Sequence, residues 1–133
     1  WLSHEDLPWL YDNLAYICNS LNSQFFDFEL FGFHEDLQFT YYNGNTNDHY
    51  SWHVDNGFYG KPARKLSFVL QLSDPSEYEG GVLQLQVGSE PTCIERKKGL
   101  VTVFPSYTLH RVTPVTEGDR YSLVGWITGP RFR

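Results

Sequence analysis

Two side chains that can bind a metal ion stand two positions apart in the segment Trp52-His53-Val54-Asp55. Residues i and i+2 of an extended strand lie on the same face. His53 and Asp55 are therefore expected to project together, as an imidazole and a carboxylate able to occupy adjacent positions on one metal ion. A His-x-Asp pattern alone is a weak signal because it arises often by chance. It needs a third ligand from elsewhere in the chain.

The best candidate for the third ligand is His110, because it starts a late predicted strand and a β fold brings distant strands together. The chain has five histidines: His4, His34, His49, His53 and His110. Two histidines and one carboxylate leave coordination positions open on the metal and are typical of non-haem iron(II) oxygenases. We expect the metal to bind His53, Asp55 and His110, and the other three histidines to be dispensable.

A candidate anion site follows the third histidine. Arg120 lies ten residues after His110, and Ser122 lies two further on, so a strand would place both on one face. A guanidinium binds a carboxylate bidentately, and a hydroxyl adds one more hydrogen bond. This pattern predicts a site for a carboxylate ligand. A structural ion pair of Arg120 with Asp119 or Glu117 is the alternative.

The elements that must position these residues begin with a helix. Apolar residues recur at spacings of three and four at Leu7, Leu10, Leu14, Ile17 and Leu21, which is the period of a helical face. Asp6 is the expected N-cap, and Pro8 is compatible with the first turn. We expect this stripe to pack against a sheet.

After residue 30 the apolar period changes to two, and strands are predicted at 37–42, 66–72, 82–87, 100–104 and 120–127. Turn signals separate them at 43–48, 56–62, 73–81, 88–91 and 117–119, and we expect residues 56–64 to form a loop over the site. Short strands between turns indicate a sandwich or barrel. We predict a mostly β fold, a double-stranded β-helix (jelly roll) with the N-terminal helix packed on its sheet. Residues 1–133 are expected to form a single domain, with 1–30 as mainly helical support and 37–133 as the jelly-roll core.

The composition of the chain indicates which classes of binding partner to expect. The net charge is −6, and the only basic cluster is Arg96-Lys97-Lys98, so we expect no nucleic-acid partner. No apolar run approaches the length of a membrane span, so no membrane partner is expected. Cys18 and Cys93 suit a cytoplasmic protein with free thiols, and a single disulfide between them is the alternative. The chain begins at Trp1 without an initiator Met, which we interpret as a trimmed fragment.

The order of these motifs resembles a known family. His-x-Asp is followed by a strand, by a turn with Asp, Tyr and Gly-Gly, and by Pro-Ser-x-x-x-His-Arg-Val-x-Pro-Val-x-x-Gly-x-Arg; the matching stretches are 50–55, 66–85 and 104–120. This order resembles the prolyl hydroxylase-type branch of the 2-oxoglutarate oxygenases, and most of all its small bacterial and phage-encoded members. The resemblance covers about residues 37 to 133.

The resemblance implies Fe(II) as cofactor, 2-oxoglutarate and O₂ as cosubstrates, and ascorbate as an optional reductant. It implies that Tyr42 joins Arg120 and Ser122 at the 2-oxoglutarate carboxylate, and that Tyr50 and Trp126 lie near the substrate. Gln71 stands where oxygen-sensing animal prolyl hydroxylases carry a Tyr, and it is a candidate hydrogen-bond donor to 2-oxoglutarate. The implied substrate is a prolyl residue within a polypeptide.

Other functions stay open. A non-catalytic jelly-roll module that binds a metal or ligand would keep His53, Asp55 and His110 but would not need Arg120 and Tyr42 together. An oxygenase acting on a free amino acid or another small molecule is a further alternative. A nucleic-acid demethylase of the same superfamily is disfavoured by the acidic balance of the chain.

Overall fold

A computed structural model describes residues 1–55 and 63–130 of the chain. Helix α1 spans Pro8–Leu21 and continues into a π-helical turn at Asn22–Phe26. The predicted N-cap was wrong: Leu7 holds that position without a side-chain cap, and Asp6 instead accepts a hydrogen bond from the Ser3 hydroxyl at 2.8 Å. None of the described helices is long and apolar enough to span a membrane.

The buried face of α1 differs slightly from the predicted stripe. Its buried residues are Tyr11, Leu14 and Cys18, whereas Leu10 packs at the edge of the same cluster. The aromatic ring of Tyr11 and the thiol of Cys18 are therefore as much part of the helix–sheet contact as the leucines. The helical period is confirmed, but the centre of the buried face is rotated by about one residue.

Strands make up most of the remaining described chain. They are β1 Gln38–Asn43, β2 Tyr50–His53, β3 Ala63–Gln71, β4 Tyr78–Gly80, β5 Leu83–Gln86, β6 Thr92–Cys93, β7 Val101–Pro105, β8 Leu109–Val112 and β9 Val115–Gly129. Short 3₁₀ turns lie at Gly44–Thr46 and Pro75–Glu77. Of the loop predicted at 56–64, residues 56–62 lie outside the described residues, and residues 63 and 64 instead begin strand β3.

The strands form two antiparallel sheets. The larger sheet has the order β1-β9-β3-β7, with β4 also paired to β9, and the smaller has the order β2-β8-β5-β6. Most sheet neighbours are distant in sequence, as expected for a jelly roll. The predicted fold class is confirmed.

The turn predicted at 117–119 was wrong, because these residues lie inside the long strand β9. Gly118 has a φ of +76°, and a Cβ there would lie 2.1 Å from the Glu77 carbonyl oxygen. Gly118 pairs with Tyr78 of β4. The glycine therefore serves a close approach between strands, not a chain reversal.

Two apolar clusters lie on opposite faces of the larger sheet. The helix-side cluster contains Tyr11, Leu14, Cys18, Leu37, Leu66, Phe68, Leu123 and Ile127. The inter-sheet cluster contains Tyr42, Val69, Tyr78, Leu83, Phe104, Val112 and Val115. Cys18 is buried, Cys93 is exposed, and both thiols are free, so the bridge left open by the sequence does not form.

Candidate active site

The three predicted metal ligands lie together at the edge of the smaller sheet. His53 ends β2 and pairs directly with His110 of β8. Asp55 follows β2, and its backbone N–H donates to the Ser106 carbonyl oxygen at 2.8 Å. The Asp55 carboxylate lies 3.4 Å from each histidine Nε2, through Oδ1 to His53 and Oδ2 to His110. Strand pairing therefore joins ligands that are 57 residues apart in sequence.

Both imidazoles are oriented by their own strands. The Nδ1 of His53 lies 2.7 Å from the Ser51 carbonyl oxygen, and the Nδ1 of His110 lies 2.9 Å from that of Thr108. Since a carbonyl oxygen can only accept, each Nδ1 carries the proton, which leaves the Nε2 lone pair facing Asp55. One ligand atom from each of the three residues lies within 4.8 Å of the other two. This donor set fits Fe(II).

The protonation states suit metal binding. Burial alone would raise the pKa of Asp55, but contacts with His53, His110, Ser67 and Trp126 outweigh it, and the net shift is downward. Burial lowers the pKa of His110, although the charge of Asp55 opposes that shift. Near neutral pH the aspartate is therefore ionised and His110 is neutral, and these are the forms that coordinate a metal.

Arg120 is a buried cation across the same space. It lies on β9 opposite Tyr42 of β1, with only 2% of its surface exposed. Its Nη1 donates to the Ser122 hydroxyl at 3.4 Å, its guanidinium carbon lies 5.1 Å from the centroid of the Tyr42 ring, and its Nε has no partner in the described chain. Burial lowers the pKa of Arg120, and interaction with Tyr42 and Tyr78 partly restores it.

No carboxylate within residues 1–55 and 63–130 lies at ion-pair distance from Arg120. Asp119, one of the two partners considered from the sequence, accepts a hydrogen bond from Tyr41 at 2.6 Å, and the other, Glu117, is exposed. A buried charge without a counter-ion is costly. The orphaned Nε and the missing counter-charge together indicate an anionic ligand at this point.

One cavity of about 560 Å³ connects the metal ligands to Arg120. This volume is typical of a small-molecule site. Four further predicted residues line it: Tyr42, Tyr50, Ser122 and Trp126. Tyr50 is 53% exposed at the cavity, and its ring centroid lies 3.9 Å from that of His53.

Gln71 does not line this cavity. Its amide donates to the Ser73 carbonyl oxygen at 3.1 Å and to the Tyr78 hydroxyl at 2.6 Å. It lines instead a smaller cavity that also touches Arg120. Among the predicted residues, Gln71 is therefore the one that the structure does not bring to the site.

Several residues of the site were missed in the sequence. Ser67 donates a hydrogen bond to Asp55, and the Thr40 hydroxyl hydrogen bonds that of Ser122. Trp126 was predicted at the substrate, but its hydrogen bond to Asp55 was not predicted. At the rim, Glu35 accepts two hydrogen bonds from Arg64, at 2.6 and 2.5 Å. The available signal was alternation, because Thr40 shares a strand face with Tyr42, and Ser67 is a polar position between leucine and phenylalanine.

Comparison with known proteins gives one family match. The model of the family described as "2OG-Fe(II) oxygenase superfamily" matches residues 37–128. This range includes both strands that pair at the metal cluster and the strand that carries Arg120.

The chain is also similar to a PKHD-type hydroxylase of Synechococcus sp. (strain CC9605), with 51% identity over 84 residues, which is 62% of this chain and 38% of that protein. A PKHD-type hydroxylase of Hyphomonas neptunium is 42% identical over 84 residues, which is 60% of this chain and 38% of that protein. The chain thus spans well under half the length of these relatives.

Among solved structures, a Pseudomonas putida prolyl-4-hydroxylase superposes with a TM-score of 0.73 and 25% identity, covering 92% of this chain and 65% of that one. This likeness extends beyond the range matched by the family model and includes most of the described N-terminal region.

Proposed function

Since the chain belongs to the 2OG-Fe(II) oxygenase superfamily, we propose that it hydroxylates a C–H bond of a prolyl residue in a polypeptide. Fe(II) is the cofactor, and 2-oxoglutarate and O₂ are the cosubstrates. One observation carries the proposal: a 2-His-1-carboxylate cluster faces the same cavity as a buried arginine whose Nε has no partner among the described residues.

Each cosubstrate has residues that suit it. Fe(II) would be held by His53, Asp55 and His110, and the carboxylate of 2-oxoglutarate far from the metal would supply the missing counter-charge for Arg120. Bound Fe(II), 2-oxoglutarate and O₂ supply the oxidant that converts C–H to C–OH, and 2-oxoglutarate leaves as succinate and CO₂. The protein contributes placement, with Ser122 and the ring of Tyr42 positioning Arg120.

The charges at the cavity favour a polypeptide over a free amino acid. A free amino acid would require a second cation for its carboxylate, and Arg64 and Arg111 are the candidates. Arg64 lines the cavity but is bound to Glu35 through two hydrogen bonds. Arg111 lies outside it, where its Nε donates to Gln84 at 2.6 Å.

A prolyl residue suits the rest of the site. Its fixed φ preorganises an extended peptide, and the exposed ring of Tyr50 next to His53 can pack against a pyrrolidine ring. The structurally similar Pseudomonas putida protein is a prolyl-4-hydroxylase, which supports the same substrate class. The net charge of −6 favours a neutral or basic target.

The test is a peptide panel incubated with the protein, Fe(II), 2-oxoglutarate, O₂ and ascorbate as reductant. Succinate is measured, and mass spectrometry with fragmentation localises the added oxygen. The panel pairs each proline peptide with its alanine counterpart and includes free L-proline, while Asp55→Ala serves as the inactive control. We expect one added oxygen on proline in a peptide.

Each other outcome points to an alternative. Metal and 2-oxoglutarate binding without succinate formation would support the non-catalytic module. Oxidation of free proline alone would support an amino-acid oxygenase, and oxidation of a different residue would remove the prolyl assignment while retaining the oxygenase.

A further inference from the structure

We propose that Trp126 and Ser67 are positioning residues that restrain Asp55 so that it binds the metal through Oδ1 alone. This inference rests on the proposed metal site and assigns a function to two buried residues beside it. It also changes the role of Trp126, which the sequence placed at the substrate.

Both donors reach the same carboxylate oxygen. The Ser67 hydroxyl donates to Asp55 Oδ2 at 2.7 Å, and the Trp126 indole N–H donates to the same atom at 3.2 Å. An ionised carboxylate oxygen has two lone pairs. Oδ2 is therefore saturated within the described structure, and Oδ1, which faces His53 Nε2 at 3.4 Å, is the oxygen left for the metal.

The pairing of β3 with β9 in the larger sheet places the two hydrogen-bond donors next to each other. Ser67 of β3 and Trp126 of β9 stand directly opposite each other in the antiparallel register. Ser67 is fully buried and also lies 3.0 Å from the hydroxyl of Ser106, whose backbone carbonyl accepts from Asp55. A rigid cross-strand pair thus sets the orientation of a ligand that itself lies on the coil after β2.

The surroundings of Trp126 favour this role over that of a platform for the substrate. The ring is only 6% exposed, and the Arg64 guanidinium carbon lies 3.8 Å from its centroid. Arg64 is in turn held by Glu35. One face of the indole is therefore occupied by a paired cation, which fixes the direction of the N–H toward Asp55.

A carboxylate that binds through one oxygen leaves more positions open on the metal than a bidentate one. Those positions are needed for 2-oxoglutarate and O₂ in the proposed reaction. Partners that orient metal ligands typically contribute about 10- to 100-fold to metal affinity. Loss of either donor should therefore weaken metal binding and let the carboxylate rotate.

The experiment uses Co(II) as the probe, without 2-oxoglutarate or substrate. Trp126→Phe keeps an aromatic ring but removes the N–H, and Ser67→Ala removes the hydroxyl. Trp52→Phe is the matched control for the first variant, because Trp52 also lies under an arginine, Arg111 at 4.6 Å, but on the outer side of β2. Ser73→Ala is the control for Ser67→Ala, because Ser73 is also buried but its hydroxyl accepts a hydrogen bond from the Tyr121 backbone N–H.

Titration calorimetry gives the Co(II) dissociation constant, absorption spectra report its coordination geometry, and urea unfolding reports stability of the metal-free protein. We expect about 10- to 100-fold weaker binding in Trp126→Phe and Ser67→Ala, a changed Co(II) spectrum, and wild-type values in both controls.

Unchanged affinity and spectrum in a folded Trp126→Phe would overturn the inference, even if Ser67→Ala did not fold. A loss of stability in both variants without any change in Co(II) binding or spectrum would also overturn it, because the hydrogen bonds would then be purely structural. If the wild-type protein itself does not bind Co(II) through the three ligands, the proposed function fails instead.

Discussion

The two faces of strands β3 and β9 are both buried but contain different chemistry. Toward helix α1 they present Leu66, Phe68, Leu123 and Ile127, all at most 3% exposed. Toward the smaller sheet they present Ser67, Arg120, Ser122 and Trp126, which are at most 6% exposed. The helix side holds the fold together by apolar burial, whereas the cavity side places polar groups out of contact with water.

This difference shows how a small protein combines stability with reactivity. Buried polar groups are costly unless they are hydrogen-bonded, and the cavity side satisfies most of them internally through Ser67, Ser106 and Thr40. Arg120 is the exception, with an unpartnered Nε in the described chain. We therefore expect mutations on the helix side to change stability, and mutations on the cavity side to change ligand binding.

The largest change in stability is expected from Phe68→Ala. Phe68 is fully buried on the helix side and packs edge-on against Phe33 at 6.0 Å between ring centroids. Loss of a buried phenylalanine side chain costs about 3–5 kcal/mol. Urea unfolding measures this loss, and Phe25→Ala is the control because Phe25 is 70% exposed. A loss below 1 kcal/mol in Phe68→Ala would contradict the assignment of stability to this face.

The largest change in binding is expected from Arg120→Met. Removing one partner of a buried ion pair costs about 3–5 kcal/mol, so the affinity for 2-oxoglutarate should fall by about two to three orders of magnitude. The unfolding free energy without 2-oxoglutarate should not fall, because the variant removes a buried charge that has no counter-ion within residues 1–55 and 63–130.

Calorimetric titration of 2-oxoglutarate and urea unfolding separate these two effects. Arg111→Met is the control, since Arg111 lies on β8 outside the cavity and should leave the affinity unchanged. An unchanged dissociation constant in Arg120→Met would move the anion site elsewhere. A large loss of stability would show that the cavity side also holds the fold together.

The sequence predicted the helix, most of the strand segments and three candidate metal ligands that the structure brings together, because these depend on local period and on motif spacing. It did not predict which face of an alternating strand points inward. In β1 the aromatic residues Phe39 and Tyr41 are 47% and 46% exposed, and Thr40 and Tyr42 face the cavity. That choice depends on the pairing of β1 with β9, which local sequence does not encode.

The hydrogen-bond partners of the site residues also could not be predicted from the sequence. The family resemblance made Gln71 a candidate donor to 2-oxoglutarate, but its amide donates to the Ser73 carbonyl and the Tyr78 hydroxyl. The two donors to Asp55 come from β3 and β9, and their meeting requires the register Ser67↔Trp126. Register is a property of the assembled sheet, whereas a motif specifies only residues near one another along the chain.

A smaller effect is expected from Tyr42→Phe, and it contrasts the two faces of β1. Tyr42 is buried at the cavity beside Arg120, whereas the Tyr41 hydroxyl donates to Asp119 on the outer face, which raises the pKa of Tyr41 to about 12. A hydrogen bond to a charged group contributes about 1.5–3 kcal/mol. The dissociation constant of 2-oxoglutarate should therefore rise by about 10- to 100-fold in Tyr42→Phe and stay unchanged in Tyr41→Phe. Equal effects in both variants would show that the hydroxyl of Tyr42 is not part of the anion site.

The smallest effect is expected from Ser122→Ala. The Ser122 hydroxyl accepts from Arg120 Nη1 at 3.4 Å, a long hydrogen bond, and its loss should cost less than that of the Tyr42 hydroxyl. The hydroxyl of Thr40 would not be orphaned by the change, because it also donates to the Ser122 backbone carbonyl at 3.1 Å. A typical net hydrogen bond contributes about 0.5–1.5 kcal/mol, so the affinity for 2-oxoglutarate should fall by at most about tenfold.

Calorimetric titration of 2-oxoglutarate at fixed metal concentration measures this change in affinity. Ser73→Ala is the control, because Ser73 is also a buried serine but does not line the cavity. A loss as large as that of Arg120→Met would mean that Ser122 binds the carboxylate directly and that the long contact to Arg120 is not its main role.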